Sequence, residues 1–390
     1  MKYLLINGKV IFPNHIDSTI NVIVDKGIIK GFTKQATLED AEIIDAKGQY
    51  ISPGFIDIHT HGGNGSDYQD GTLEAFVNAS TMHMKHGVTS IVPTTVASDF
   101  DSTIDFFKSY EQHYNNPKVL TRMLGIHLEG PYLSYKQKGA IPGQYLKDPI
   151  YEEYIQWFNA SKHISRWTIA PELPGAMEFA QEGVRRGIQI SIGHSDAFDS
   201  HVYEAITNGF SSVTHLYSMT SGVVRINCYR HPGIIESALL RDDLYTEAIS
   251  DGHHLPDTLL SLIYKCKGAD KMILVTDSMS AAGLGEGEFT LGNPKDNHRV
   301  LVKGGVAFMP DMSSFAGSVA TADQLIRTMQ KLNIPLYNIV KMMSLTPAKL
   351  MKLDKEIGSI EIGKKADIIF YDENINVSLV FVDGKIKHSL

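Results

Sequence analysis

Two histidines one residue apart, His59 and His61, close an apolar run and are followed by Gly62 and Gly63. Residues two apart in an extended strand face the same side, so both imidazoles can reach one point. Two glycines then let the chain turn without a side chain crowding that point. Further along stand Glu129 in GIHLEGP, His194 in GHSD and His215 in THL. The run Asp251-Gly252-His253-His254 and Asp277 in VTDS follow. An HxH pair alone says little in a chain with 16 histidines. What unites these residues is position, because each stands where an apolar strand candidate ends. Brought together in a fold, that many ionisable groups are expensive to bury without a partner. A divalent metal removes the difficulty, and imidazole mixed with carboxylate suits Zn²⁺, Fe²⁺, Co²⁺ or Mn²⁺. The chemistry that fits is metal-assisted hydrolysis, with a carboxylate beside the ion moving the proton of the attacking water. Asp277 is the candidate for that carboxylate. The competing reading makes it a capping or ion-pairing side chain.

The elements that must position these groups can be read from the pattern. Apolar strand candidates lie at 55–58, 89–92, 123–128, 167–170, 189–192, 212–214, 244–249 and 271–276. Helical periodicity fills most of the gaps, as at 73–86 and 201–208. Eight strands in a βαβ rhythm predict a closed (β/α)8 barrel, whose sites form at the C-terminal strand ends. An open doubly wound sheet is the alternative, but its GxGxxG turn is absent after the first strand. Residues 285–316 are Gly-rich and read as loops and short strands. Helices are expected over 317–332 and, once or twice, over 336–351.

Both chain ends have a different texture. Leu4-Leu5-Ile6 precedes Asn7-Gly8, a strong hairpin signal. Strand candidates at 19–24, 42–45, 366–370 and 377–382 are bounded by Lys-Gly or Asp-Gly turns. The ends are therefore expected to form one small β-sandwich, from 1–53 and 346–390, around a hydrolase barrel at 54–345.

Of the 390 residues, 36 are Lys or Arg and 44 are Asp or Glu, a formal net charge of −8. Such a surface does not favour nucleic acid or an anionic membrane. Cys228 and Cys266 read as free thiols of a reducing compartment. The opening MKYLLINGKVIFP lacks a long apolar core and a cleavage site, and no apolar run approaches a membrane span. A cytoplasmic location is the default expectation.

The motifs PGFIDIHTHGGNG, GIHLEGPYLSYKQKGA, GHSDA, THLYSM, DGHH, VTDSMSAAG and FAGS, with the late IGSIEIGKKADIIFYD, carry a resemblance. In this order they resemble the amidohydrolase superfamily and, within it, the N-acetylglucosamine-6-phosphate deacetylase family. The resemblance implies a barrel with a β-sandwich made from both ends. It also implies removal of an acetyl group from an amino-sugar phosphate, and a homodimer. It makes Glu129, His194 and His215 the core metal ligands, with His59 and His61 matching members that hold a second ion. Asp277 becomes the general base and acid, and His254 a substrate contact that polarises the amide carbonyl. Ala140, Ile141, Ser218, Met219, Phe315 and Ala316 fall on substrate-facing motifs. Arg230 resembles the arginine that binds substrate phosphate, in some members across the dimer interface, with Arg225 as a competitor. Departures from the family pattern are confined to substrate-facing positions. Ile141 stands where a histidine is usual, Ser218-Met219 where Asn-Ala is usual, and His231 where a glutamate is usual. The chemistry is thus expected to persist while the substrate stays open. An amidohydrolase of another acylated amine or cyclic amide is the alternative, and a non-catalytic binding barrel a distant third.

Overall fold

The computed structural model describes residues 1–389. Its centre is a ring of eight parallel strands in sequence order: β1 (Phe55–Thr60), β2 (Val88–Val96), β3 (Ile126–Glu129), β4 (Ile164–Ile169), β5 (Gln189–Ile192), β6 (Phe210–Val213), β7 (Tyr245–Ala248) and β8 (Met272–Leu274). Each strand pairs with the next, from β1·β2 to β7·β8. The ring closes just beyond β8. Asp277 N–H donates to His59 O at 2.9 Å, and His61 N–H to Ser278 O at 2.8 Å. Asp57 stitches the same seam, accepting from Thr276 Oγ1 at 2.5 Å and from Thr276 N at 3.3 Å. β1 and β2 are buried at every position, as parallel strands covered on both faces must be. The observed fold is a (β/α)8 barrel.

A helix follows each strand: α1 (Leu73–Lys85), α2 (Phe100–His113), α3 (Tyr151–Ala160), α4 (Ala176–Arg185), α5 (Asp199–Thr207), α6 (Ile234–Leu240), α7 (Asp257–Lys271) and α8 (Ala322–Gln330). The first two start on side-chain caps. Thr72 accepts from Ala75 N at 3.1 Å and Asp99 from Ser102 N at 2.8 Å. Their inward faces join the strands in one large core that includes Trp157, Phe158, Trp167 and Phe179.

α8 begins at Ala322, not at 317 as the sequence pattern suggests. Residues 317–321 stay outside the helix instead, and Ser318 donates from its backbone N to Asp277 O at 2.7 Å and from Oγ to Thr276 O at 2.6 Å. That segment props the end of the eighth strand. The 336–351 stretch forms two helices, α9 (Leu336–Met342) and α10 (Leu345–Leu350), broken at Ser344. α10 packs on Ile56, Ile58, Ile273 and Val275 of the barrel. Residues 285–316 contain a three-stranded antiparallel sheet, Gly287–Thr290, Arg299–Lys303 and Val306–Phe308.

The chain ends build two sheets around a shared core of Tyr3, Leu5, Val22, Ile51, Phe370 and Phe381, among others. One sheet has the order 28–33, 21–25, 2–6, 42–45. The other runs 385–389, 377–382, 368–371, 50–53, 9–11, 16–17. The Asn7-Gly8 hairpin expectation is corrected here. Strand Lys2–Ile6 pairs with 21–25 and 42–45, whereas Lys9–Ile11 pairs in the other sheet. The turn hands the chain from one sheet to the other. Gly8 is required because a Cβ there would meet Ile51 Cδ1 at 2.4 Å. Among the described residues, no helix is long and apolar enough to cross a membrane.

Candidate active site

The strand ends converge as the barrel geometry demands. Glu129 ends β3 and sits at the centre. Its Oε1 is 2.9 Å from His215 Nε2, 3.3 Å from His194 Nε2 and 3.5 Å from His59 Nε2. Its Oε2 is 3.4 Å from His61 Nε2. Asp277 Oδ1 completes the ring, 3.4 Å from His59 Nε2 and 3.1 Å from His61 Nε2. All six side chains are buried. They form three overlapping trios with donor atoms close enough for one ion each: His59-His61-Glu129, His59-His215-Asp277 and Glu129-His194-His215.

The imidazoles are held from behind. His194 Nδ1 lies 2.8 Å from Gln137 O, and His215 Nδ1 3.2 Å from Ser218 O. A carbonyl only accepts, so both rings carry their proton on Nδ1 and turn a lone pair inward at Nε2. His59 Nδ1 faces Glu247 Oε2 at 3.2 Å, with the same consequence. His59 Nε2 is buried without a hydrogen-bond partner, an orphan aimed into the cluster. Burial works against charge on His59 and His61, yet Asp277 and Glu129 overcome it. They hold His59 well above its ordinary value and lift His61 to about 9. Burial likewise pushes Glu129 and Asp277 up, and the histidines carry both below the usual carboxylate range. The cluster therefore demands positive charge between its carboxylates. A divalent ion bound through neutral imidazoles satisfies that demand, and the donor set fits one.

The backbone is bent to aim these groups. His194, His215 and Asp277 have φ of 47°, 27° and 47°, in the left-handed region that non-glycine residues seldom occupy. Such outliers gather where function fixes the geometry. Gly62 and Gly63 serve a purpose different from the one expected. A Cβ on Gly62 would lie 2.1 Å from Ser66 O, and one on Gly63 2.2 Å from Met82 Cε. The glycines admit the chain's own neighbouring segments, not a ligand.

The cluster floors a cleft of about 530 Å³. Ala140, Ile141, Ser218, Met219, His254 and Phe315 line it, joined by Val96 and Leu291. His254 Nδ1 is 2.7 Å from Asp251 Oδ2, which leaves Nε2 for the cleft. Phe315 packs on the His254 ring with centroids 4.7 Å apart. Ala316 lies fully buried behind the wall, its N–H donating to Ala307 O at 3.0 Å. Arg225 and Arg230 are not among the lining residues. They face each other across an exposed hairpin, Val224–Ile226 with Tyr229–His231, and Arg230 Nη1 donates to Cys228 O at 3.1 Å.

Sequence reasoning missed the groups behind the candidate ligands, Gln137, Glu247 and Arg166, and it named Asp251 without its pairing to His254. Glu247 in YTEA and Arg166 in ISRWTI were detectable, since a charged residue inside a buried strand needs a partner.

The profile of the Amidohydrolase family matches residues 50–387. The N-acetylglucosamine-6-phosphate deacetylase of Lysinibacillus sphaericus is 32% identical over 99% of this chain and 98% of its own. The N-acetylgalactosamine-6-phosphate deacetylase of Escherichia coli O157:H7 is 28% identical over 88% of this chain and 89% of its own. The crystal structure of N-acetylglucosamine-6-phosphate deacetylase from Pasteurella multocida superposes with a TM-score of 0.91 at 28% identity, covering 100% of both chains. Matched over nearly its whole length, the chain belongs to the amidohydrolase family, alongside the N-acetylglucosamine-6-phosphate deacetylases.

Proposed function

We propose that this protein hydrolyses the N-acetyl group of N-acetylglucosamine 6-phosphate, giving acetate and the free amine. The observation that carries the reading is the convergence of Asp277, His254 and four candidate ligands, His61, Glu129, His194 and His215, on one cleft, with His59 joining the cluster from beneath. Glu129, His194 and His215 are the residues to hold a divalent ion, with His59 and His61 offering a second place. Zn²⁺ is the ion of first choice for such donors. When bound, the ion supplies Lewis acidity that acidifies water and polarises the acyl oxygen. Asp277 is ionised and poised to take the water's proton at its carboxylate, and returns it to the leaving nitrogen as the C–N bond breaks. His254, held at Nδ1 by Asp251, turns Nε2 toward the acyl oxygen, where its imidazolium form, with a proton on each nitrogen, donates as negative charge develops.

Among the described residues, no lysine or arginine lines the cleft within one chain. A phosphate bound there needs a cation from outside, and Arg230 is our assignment, delivered by the hairpin of a second copy in a homodimer. Val223, Val224, Ile226 and Tyr229 are exposed on that arm, apolar surface suited to such a contact. A phosphorylated sugar and two exposed free thiols, Cys228 and Cys266, fit a cytoplasmic setting.

The test is acetate release by metal-replete protein from N-acetylglucosamine 6-phosphate, N-acetylgalactosamine 6-phosphate and unphosphorylated N-acetylglucosamine. We expect release from the first, little from the unphosphorylated sugar, and the galactosamine epimer to report the selectivity of the wall. Ile141 is buried in the apolar group under that wall, where it favours an uncharged substrate face. Absence of release from all three by metal-loaded protein overturns the proposal in favour of another acylated amine or a cyclic amide.

A further inference from the structure

Beneath the ligand cluster lies an ion pair that the hydrolytic chemistry leaves unused. Arg166 on β4 and Glu247 on β7 are both fully buried, with Arg166 Nη2 against Glu247 Oε1. Neither lines the cleft. Arg166 spends its other donors on the barrel interior. They reach Gln189 Oε1 at 2.9 Å, Ile58 O at 3.3 Å, Ser191 Oγ at 3.1 Å and Thr214 Oγ1 at 3.3 Å. The second carboxylate oxygen points the other way. Glu247 Oε2 is 3.2 Å from His59 Nδ1 and 3.3 Å from the backbone N of His215.

Stability does not account for this arrangement. Buried ion pairs are costly to desolvate, and apolar replacements of similar volume are often neutral or stabilising. The geometry gives a better reason. Three histidines of the cluster have Nδ1 engaged, and two of them use backbone carbonyls. His59 alone uses a carboxylate. A carboxylate on the outer nitrogen fixes the tautomer and raises the basicity of the inner one. One oxygen also reaches two ligand residues on different strands, so it sets their spacing.

We propose that the Arg166–Glu247 pair is the positioning device of the metal centre. Glu247 holds His59 with its proton on Nδ1 and its Nε2 free for a divalent ion, and it pins the amide of His215. Arg166 fixes Glu247 from behind and ties it to the strands beneath. The inference rests on the metallohydrolase reading of the site.

The test compares wild type, Glu247→Gln and the double variant Arg166→Met/Glu247→Leu. Each is stripped of metal and titrated with Zn²⁺ against a chromophoric chelator, and the thermal midpoint of each metal-free protein is recorded. Glu247→Gln keeps the shape and loses the charge. The double variant leaves no unpaired guanidinium, so the barrel is not burdened with a lone buried charge. Zn²⁺ binding is expected to weaken about 10–100-fold in both. kcat should fall while KM for the sugar phosphate stays within about twofold. Wild-type Zn²⁺ affinity in either folded variant overturns the proposal, and a lowered midpoint with unchanged affinity reduces the pair to a structural role. Wild type that binds Zn²⁺ but releases no acetate refutes the assigned reaction and leaves this comparison standing. Wild type that binds no Zn²⁺ overturns both.

Discussion

The role proposed for Asp277 requires it to be ionised when water attacks and protonated when the amine leaves. Asp277→Asn can do neither, yet keeps the shape of the site. It should lower kcat by about 10²–10⁴-fold with metal content unchanged, as measured by turnover beside metal analysis. Near-normal turnover would remove Asp277 from the proton path. The left-handed backbone at His194, His215 and Asp277 is a second residue-scale property with a consequence. Each such conformation costs about 1–3 kcal/mol and persists only when its surroundings over-determine it. Buried ionisable groups and strained backbone at one spot make the site a place where a bound ion would stabilise the fold. A ligand that binds only the folded state at ~1,000 times its Kd adds about 4 kcal/mol. Chelation should therefore lower the thermal midpoint by several degrees, and excess Zn²⁺ should restore it. An unchanged midpoint would mean that no ion is held by these residues.

At the scale of elements, α6 and α7 meet through Lys267, whose Nζ donates to Ala238 O at 2.9 Å and also to Arg241 O at 2.5 Å. Burial pulls this ammonium down to about 8, and Asp242 only partly offsets it. In the unfolded chain the group titrates near 10.5. Between these values the unfolded chain keeps a proton that the folded chain has released, so stability from this position rises with pH. Below about 8 both states are protonated and the contribution is flat. Wild type should therefore gain on Lys267→Met as pH is raised from 7.5 toward 10, read from paired denaturant curves (about 8 marks the onset). A pH-independent difference would contradict the shift.

Element scale is also where the sequence was most and least legible. Strand ends could be read because an apolar run stops where a polar residue faces the cleft, and the eight runs match the eight observed strands. Asn7-Gly8 misled because a turn signal states that the chain reverses, not which strand it pairs with afterwards. Lys2–Ile6 found better partners in 21–25 and 42–45. Each of Arg166 and Glu247 was detectable as a lone charge in a buried strand, but their pairing stayed hidden because only the closed ring brings β4 across to β7. Arg230 fell outside the cleft because it sits on an exposed hairpin away from the residues that line it, and motif order does not state how far a loop carries a side chain.

At the scale of the whole molecule, a charged cluster helps join the barrel to the terminal sheets. Arg122, just before β3, pairs with both Asp367 and Asp383 and so bolts the barrel to the terminal sheets. Arg122→Ala leaves the nearly buried Asp367 carboxylate without its guanidinium. It should cost about 2–3 kcal/mol, somewhat less than the ~3–5 of a fully enclosed pair, in urea unfolding. A loss under about 0.5 kcal/mol would mark the contact as incidental.

The strand Tyr50–Pro53 lies between 368–371 and 9–11 in the terminal sheet, and only Gly54 separates it from β1. A Cβ on Gly54 would meet Thr89 Cγ2 at 2.2 Å, so this junction has no slack. The terminal sheet is therefore a lever whose short arm carries His59 and His61. Stripping the outer strands 377–389, or tethering them to a support, would be felt first as a change in how tightly the ion is gripped, ahead of any loss of the barrel's helices. A weakened grip with the helices intact would make this peripheral fold element a place from which the reaction centre is tuned at a distance.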